Sequence, residues 1–119
     1  MTRTNLKILV SSAGRRAGLI ECFRSAAEDL GLDLAVYACD MKPQLSAACQ
    51  LADRAFEVPH CATPGFADAV CDIVRAHGVD LVVPTIDPEL RPLLVLARGL
   101  LDAGEPAARP AAVPFPRRA

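Results

Sequence analysis

The sequence predicts a three-layer α/β fold: an open parallel sheet of about four strands with helices on both faces. Short apolar runs alternate with longer segments whose apolar residues recur every three or four positions. The apolar runs show almost no polar alternation, which is typical of strands covered on both faces. This alternation of strands and helices favours parallel pairing through right-handed crossovers.

The first half of the chain predicts two strands and two helices. Residues 6–10 and 34–39 are the apolar strand segments. Residues 17–30 form an amphipathic helix that ends at Gly31, where a left-handed cap is expected. A shorter and weaker helical pattern lies within 41–52.

The second half predicts two further strands and two helices. Residues 55–58 are a brief strand, and Thr63 is expected to cap the helix that follows. Residues 80–84 are another buried strand. The pattern over 90–101 is helical, and Pro92 is expected to interrupt it early.

The bulk composition describes one domain with a sizeable core and excludes several classes of partner. The chain has 119 residues, 52% of them hydrophobic, and a formal net charge of −1. This charge gives no support for binding nucleic acid or an anionic membrane. No apolar run is long enough for a membrane span or a signal peptide, so we expect a cytoplasmic protein.

The cysteine pattern favours reduced structural thiols. Five cysteines are present, and no two of them have the two-residue spacing of a zinc or redox motif. We therefore expect no metal site in this chain.

The end of the chain differs from the rest in composition. After residue 105 there is no Asp, Glu or Lys, and four prolines interrupt every helical or strand pattern. We predict a domain over 1–98 and a Pro/Ala/Arg-rich tail over 99–119. The tail is expected to be disordered or to be a truncated or frameshifted end.

Three polar loops are expected to meet at the carboxyl ends of the parallel strands, where ligands bind in such sheets. They are 11–18, 40–43 and 85–89. The candidate substrate- or anion-binding residues in them are Ser11, Ser12, Gly14, Arg15, Arg16, Asp40, Thr85, Asp87 and Glu89.

Each loop has a functional and a structural interpretation. The first lacks the three-glycine dinucleotide fingerprint and a Gly-Lys-Ser/Thr sequence, yet its amides and arginines suit a carboxylate or phosphate. The alternative is a tight turn with solvated arginines. Asp40 suits a ribose hydroxyl or caps its own turn. The third loop can hold a substrate amine, organise the arginines or cap the next helix. No catalytic set and no metal cluster emerges.

Several motifs occur in an order that resembles a known family. They are KILVSSAGRR, GLIECF, VYACD, ADRAFEVP and GVDLVVPTIDPEL. Together they resemble the N-terminal domain of ATP-grasp enzymes, in particular the carbamoyl-phosphate-synthase large-subunit-like group. The resemblance covers residues 6–95 and implies a Rossmann-like pre-ATP-grasp domain.

The resemblance also implies a function. Complete family members use ATP and Mg²⁺ to convert a carboxylate into an acyl phosphate, which an amine or another nucleophile then displaces. Other lobes hold the nucleotide and metal, while the N-terminal domain forms a wall for a carboxylate or amino-acid-like substrate. The residues carried over to that wall are Ser12, Gly14, Arg15, Arg16, Asp40, Thr85, Asp87 and Glu89.

This chain has no segment that could form the ATP-binding lobes. We therefore expect it to be inactive alone and to associate with a separate ATP-grasp chain or with itself. Two alternatives remain open: a stand-alone module that binds a small molecule or nucleotide, and a non-functional remnant of a truncated gene.

Overall fold

The strands form one parallel sheet, as predicted. A computed structural model describes residues 4–102 and 109–110. Within them the sheet has the order β3-β2-β1-β4-β5, and every neighbouring pair is parallel. The strands are β1 (Thr4–Ser11), β2 (Leu32–Asp40), β3 (Arg54–Glu57), β4 (Leu81–Pro84) and the two-residue β5 (Arg109–Pro110).

Helices connect the strands. They are α1 (Ala17–Leu30), α2 (Ala47–Leu51), α3 (Phe66–His77) and α4 (Leu90–Asp102), with 3₁₀ turns at Pro43–Leu45 and Asp87–Glu89. Gly31 ends α1 in the left-handed region, at φ +71°, as predicted. Gly78 ends α3 in the same way, at φ +65°.

The predicted three layers are confirmed, because alternate residues of the central strand β1 pack against different helices. Leu9 of β1 packs in a buried cluster with Phe66 of α3 and Leu93 of α4. Its neighbour Ile8 packs on the opposite face, in a cluster that contains Ile20 of α1. The core therefore lies on both faces of β1, the central strand.

The start of α3 differs from the sequence prediction. The helix begins at Phe66, and Gly65 rather than Thr63 occupies the cap position. The amide of Thr63 donates to the His60 carbonyl at 2.8 Å, and the Phe66 amide donates to the Thr63 carbonyl at 3.0 Å. Consecutive backbone turns thus replace the expected threonine side-chain cap.

Helix α4 is continuous through Pro92, contrary to the predicted interruption. Pro92 lies in the first turn of the helix, where backbone N–H groups have no acceptor within the helix. The missing proline N–H therefore removes no helical hydrogen bond.

The predicted boundary after residue 98 falls inside α4, which ends at Asp102. Farther along, Arg109 and Pro110 are in register with Leu81 and Val82 of β4. The rest of the predicted tail lies outside the described residues, and its disorder stays a prediction. Within the described ranges, no helix combines the length and the apolar character needed to cross a bilayer.

Candidate functional site

The sheet order brings the three predicted loops together at the carboxyl end of the sheet, the side at which all strands finish. Strand β1 lies between β2 and β4, so the loop after β1 has the other two loops as neighbours. Chain connections leave β1 toward β2 on one side and return to β4 on the other. This reversal is the position at which ligands bind in open parallel sheets.

Glu89 connects the loop after β1 to the loop after β4. Its Oε1 accepts hydrogen bonds from the hydroxyls of Ser11 and Ser12, both at 2.7 Å. Its Oε2 accepts from the amides of Thr85 at 2.6 Å and Ile86 at 3.1 Å. The side chain is 0% exposed, so these four donors replace the water that the carboxylate loses on burial.

This burial corrects the expectation that Glu89 contacts a substrate amine or organises the arginines. Its carboxylate has no exposed surface, and its partners are two hydroxyls and two amides. The Ser11 side chain is also 0% exposed, so it is likewise unavailable for direct contact with a substrate. Both residues instead fix the shape of the loops.

Ser12 adopts an unusual backbone conformation inside this network. Its φ is +52°, a left-handed value that costs a non-glycine residue about 1–2 kcal/mol. Besides the bond from its side chain to Glu89, its carbonyl lies 2.7 Å from the Thr85 hydroxyl, and the Ser11 carbonyl lies 2.9 Å from the same hydroxyl. The surrounding hydrogen bonds hold the strained residue in place.

Asp40 connects the loop after β1 to the loop after β2. Its Oδ2 accepts from the Gly14 amide at 2.7 Å, and its Oδ1 accepts from the Met41 amide at 2.7 Å. The second bond agrees with the alternative in which Asp40 caps its own turn. The Lys42 amide also donates to Oδ1, at 3.5 Å, so Oδ2 of this half-buried side chain is the oxygen that keeps a lone pair for a ligand.

Ser46 is a residue of the site that the sequence analysis missed. Its hydroxyl donates to the Gly14 carbonyl at 2.6 Å and accepts from the Cys49 amide at 3.0 Å. It thereby caps α2 and joins this helix to the loop after β1. A serine directly before the segment Ala47–Leu51 is a typical N-cap signal, which could have revealed it.

The two predicted arginines are exposed and differ in their surroundings. Arg16 Nη2 donates to the Thr85 carbonyl at 3.4 Å, toward the third loop. Arg15 lines an open groove of about 270 Å³ together with Asp40 and Lys42. The groove therefore carries positive charge next to the N-terminus of α1, a location that favours anions.

A second cavity, the Ser12–Asp40 cleft, lies between the three loops and has a volume of about 270 Å³. It is lined by Ser12, Asp40, Met41, Val58, Pro59, His60, Cys61, Phe66 and Ile86. The sequence analysis identified Ser12 and Asp40 among these. It missed the apolar floor, because those residues become neighbours only through folding.

Asp87 is not part of this arrangement. It is exposed at the start of a 3₁₀ turn and lines a different groove, together with Pro64 and Arg91. The structure thus joins most of the predicted residues and leaves Asp87 apart. The residues joined by hydrogen bonds at the carboxyl end are Ser11, Ser12, Gly14, Arg16, Asp40, Thr85 and Glu89.

The buried thiols beneath the loops are not reactive nucleophiles at neutral pH. Cys39 is 0% exposed, with its Sγ 3.8 Å from the Ser11 hydroxyl. Burial raises its pKa to about 12, so the thiol stays protonated at neutral pH. Burial also raises the pKa of Cys49. Over 4–102 no disulfide forms, and no group of three His, Cys, Asp or Glu residues could hold a metal ion.

Comparison with known families decides what kind of domain this is. The family model described as PylC-like, N-terminal domain, matches residues 8–104. The chain belongs to the family of PylC-like N-terminal domains. The family match confirms the expected pre-ATP-grasp domain, the N-terminal domain of an ATP-grasp enzyme. The matched range contains all three loops of the site.

A solved structure supports the same fold for this PylC-like domain. It is a pyruvate carboxylase variant from Rhizobium etli with the allosteric activator acetyl coenzyme A, at a TM-score of 0.52 and 23% identity. The similarity covers 84% of this chain and 9% of that enzyme, so it concerns the fold alone. No curated protein matches the chain.

Proposed function

We propose that this chain is the N-terminal, substrate-side domain of an ATP-grasp carboxylate–amine ligase of the carbamoyl-phosphate-synthase large-subunit-like group. The observation that carries the proposal is the joining of three loops by Glu89 and Asp40 around one cleft. A PylC-like domain with a fixed ligand-side surface suits recognition of the small substrate.

The positive side of this surface would take the anionic group of the substrate. Arg15 and Lys42 line the groove beside Asp40, and Arg16 lies at the first turn of α1. The Leu19 amide of that turn donates to the Arg16 carbonyl at 3.1 Å, which leaves the amides of Ala17 and Gly18 as hydrogen-bond donors for a carboxylate or phosphate.

The negative side would take an amine, and we assign this role to Asp40 instead of the third loop. Glu89 is buried and Asp87 lies outside the cleft, whereas the half-buried Asp40 lines both the cleft and the positive groove. A substrate with an anionic group and an amine can therefore span the two cavities. This arrangement supports an amino-acid-like substrate.

We assign ATP and Mg²⁺ to ATP-grasp domains outside this chain. The residues described here do not fit these groups, since they contain no metal-binding cluster and the turn after β1 lacks a phosphate-binding lysine motif. The partner would be an ATP-grasp polypeptide, separate or continuous with this one, or a second copy of the chain. We also propose that the protein acts in the cytoplasm.

Two assays on the purified 119-residue chain test this division of roles. With ATP, Mg²⁺ and a mixture of amino acids, we expect no ADP release above the blank. With glycine as the minimal substrate, we expect a rise in melting temperature that Asp40→Asn abolishes and Asp87→Asn preserves.

The two assays also separate the alternatives. ADP release by the chain alone would contradict the assignment of ATP to other domains. A melting temperature that responds to ATP or adenosine and ignores amino acids would favour a stand-alone nucleotide-binding module.

A further inference from the structure

The floor and the rim of the Ser12–Asp40 cleft differ sharply in polarity. The floor consists of Val58, Cys61 and Phe66, which are 4%, 7% and 1% exposed. The polar side chains lie with Ser12 and Asp40, which belong to the hydrogen-bonded loops. A ligand that fills the cleft therefore meets a charged group at one end and apolar surface at the other.

The charge in the cleft has one sign. Asp40 is the one formally charged side chain at neutral pH among the described residues that line it. His60 also lines the cleft, and its Nδ1 accepts the Ala62 amide at 3.0 Å. The neutral ring must then carry its proton on Nε2, which makes His60 a donor. These groups suit an ammonium beside Asp40, and His60 offers a hydrogen-bond donor in the same cleft.

The size of the cleft limits its occupant to a small molecule. The cleft has a volume of about 270 Å³. This lies just below the usual range for drug-sized ligands, about 300–1,000 Å³. A free amino acid fits this space, whereas a nucleotide would extend beyond it.

We propose that the cleft selects an amino acid with an uncharged, apolar side chain of about the size of leucine. The ammonium lies at Asp40, and the side chain covers Val58, Cys61 and Phe66. A second charge on the side chain would lie against that floor without a partner, which is energetically costly. The inference rests on the proposed substrate-side function and names the substrate class of the same site.

Calorimetric titration of the full 119-residue chain with matched ligands tests this selectivity. Leucine and norleucine are expected to bind at least about tenfold more tightly than aspartate and lysine, which resemble them in shape but carry a side-chain charge. N-acetyl-leucine, which lacks the ammonium, is expected to bind at least about tenfold more weakly than leucine.

A pair of isosteric variants locates the selectivity in the cleft. Val58→Thr adds a hydroxyl to the floor and is expected to weaken leucine binding about threefold to tenfold. Val95→Thr makes the same change on α4, where Val95 is 64% exposed and outside the cleft, and should leave the affinity unchanged. Circular dichroism confirms that both variants fold.

Alkylation provides a readout that remains valid if Val58→Thr fails to fold. Bound leucine is expected to slow the modification of Cys61, which lines the cleft, and to leave that of the exposed Cys22 unchanged. Equal affinities for leucine and lysine would overturn the selectivity and leave the proposed function standing. Failure of every amino acid to bind would overturn both the selectivity and the proposed substrate-side function.

Discussion

The two ends of the sheet are held by different means. At the carboxyl end, the side chains of Glu89, Asp40 and Ser46 join separate loops, and Ser12 adopts the left-handed region as well as Gly14. At the amino end, Gly31 and Gly78 adopt that region, and backbone carbonyls accept the hydrogen bonds that end the helices. Glycine adopts this conformation at little steric cost, whereas serine needs support from its neighbours.

The amino end also has side-chain contacts, but they are more exposed. Lys7 Nζ donates to the His77 carbonyl at 2.6 Å and lies 5.4 Å from the centre of the Tyr37 ring. Its amide donates to the exposed Asp80 carboxylate at 2.8 Å. A cavity of about 490 Å³ lies beside these residues and is larger than the Ser12–Asp40 cleft. We still place the site at the carboxyl end, because ligands of such sheets bind there.

The comparison shows where the fold contains strain. Connections at the amino end are satisfied mainly by local backbone bonds, and glycine occupies their left-handed positions at little steric cost. Those at the carboxyl end depend on carboxylates contributed by other loops. Strained residues held by their surroundings are concentrated at functional sites, and Ser12 fits this pattern.

Removing one carboxylate at each end of the sheet should give the largest difference in the free energy of unfolding between the two ends. Glu89→Ala leaves two amides and two hydroxyls without their acceptor and opens a cavity, so we expect a loss of about 4 kcal/mol in the free energy of unfolding. Asp80→Ala removes one exposed acceptor and should cost about 1 kcal/mol. Urea denaturation measures both, and equal losses would contradict the distinction.

Two substitutions of Ser12 separate its hydrogen bond from its strain. Ser12→Ala loses the bond to Glu89 and keeps the left-handed backbone, so we expect a cost of about 2 kcal/mol. Ser12→Gly loses the same bond but relieves the strain, and should be about 1 kcal/mol more stable than Ser12→Ala. If Ser12→Gly proves less stable than Ser12→Ala in urea, backbone strain at this position is refuted.

The buried thiol beneath the carboxyl end predicts a dependence of stability on alkaline pH. Burial raises the Cys39 pKa from 9.0 to about 12 in the folded chain, so only the unfolded chain loses this proton between these values. The contribution of the thiol to stability is complete below pH 9 and falls by about 1.4 kcal/mol per pH unit above it.

The measurement compares urea denaturation at pH 8 and pH 10. The wild-type chain should lose about 1 kcal/mol more than Cys39→Ala over this interval. Cys22→Ser, which changes an exposed thiol, should behave as the wild type does. A loss of equal size in all three proteins would exclude Cys39 as the cause.

The sequence predicts the element order and the meeting of the three polar loops at one end of the sheet, for a physical reason. Buried parallel strands are short apolar runs, and the polar residues that follow each run lie at the carboxyl end of the sheet. Such residues follow 34–39 and 80–84. Asp40 and Thr85 could therefore be assigned to the same end of the sheet before any contact was known. That assignment needs only the direction of the strands, and the alternation of strands and helices along the chain predicts that they are parallel.

The details that depend on distant contacts could not be predicted. Glu89 follows a proline in a polar loop and resembles a surface residue, and its burial depends on Ser11 and Ser12, 77 or more positions earlier. Thr63 precedes a proline as helix caps often do, yet backbone turns satisfy the start of α3. In both cases tertiary contacts override a local pattern.

The central claim is that the carboxyl end of the sheet is the substrate side of this PylC-like domain. Titration of the ¹⁵N-labelled chain with leucine, followed by amide chemical shifts, tests it most directly. We predict saturable shifts at Gly14, Met41 and Cys61, with Gly78 and Asp80 unchanged. Shifts confined to Gly78 and Asp80, beside the cavity at the amino end, would contradict it.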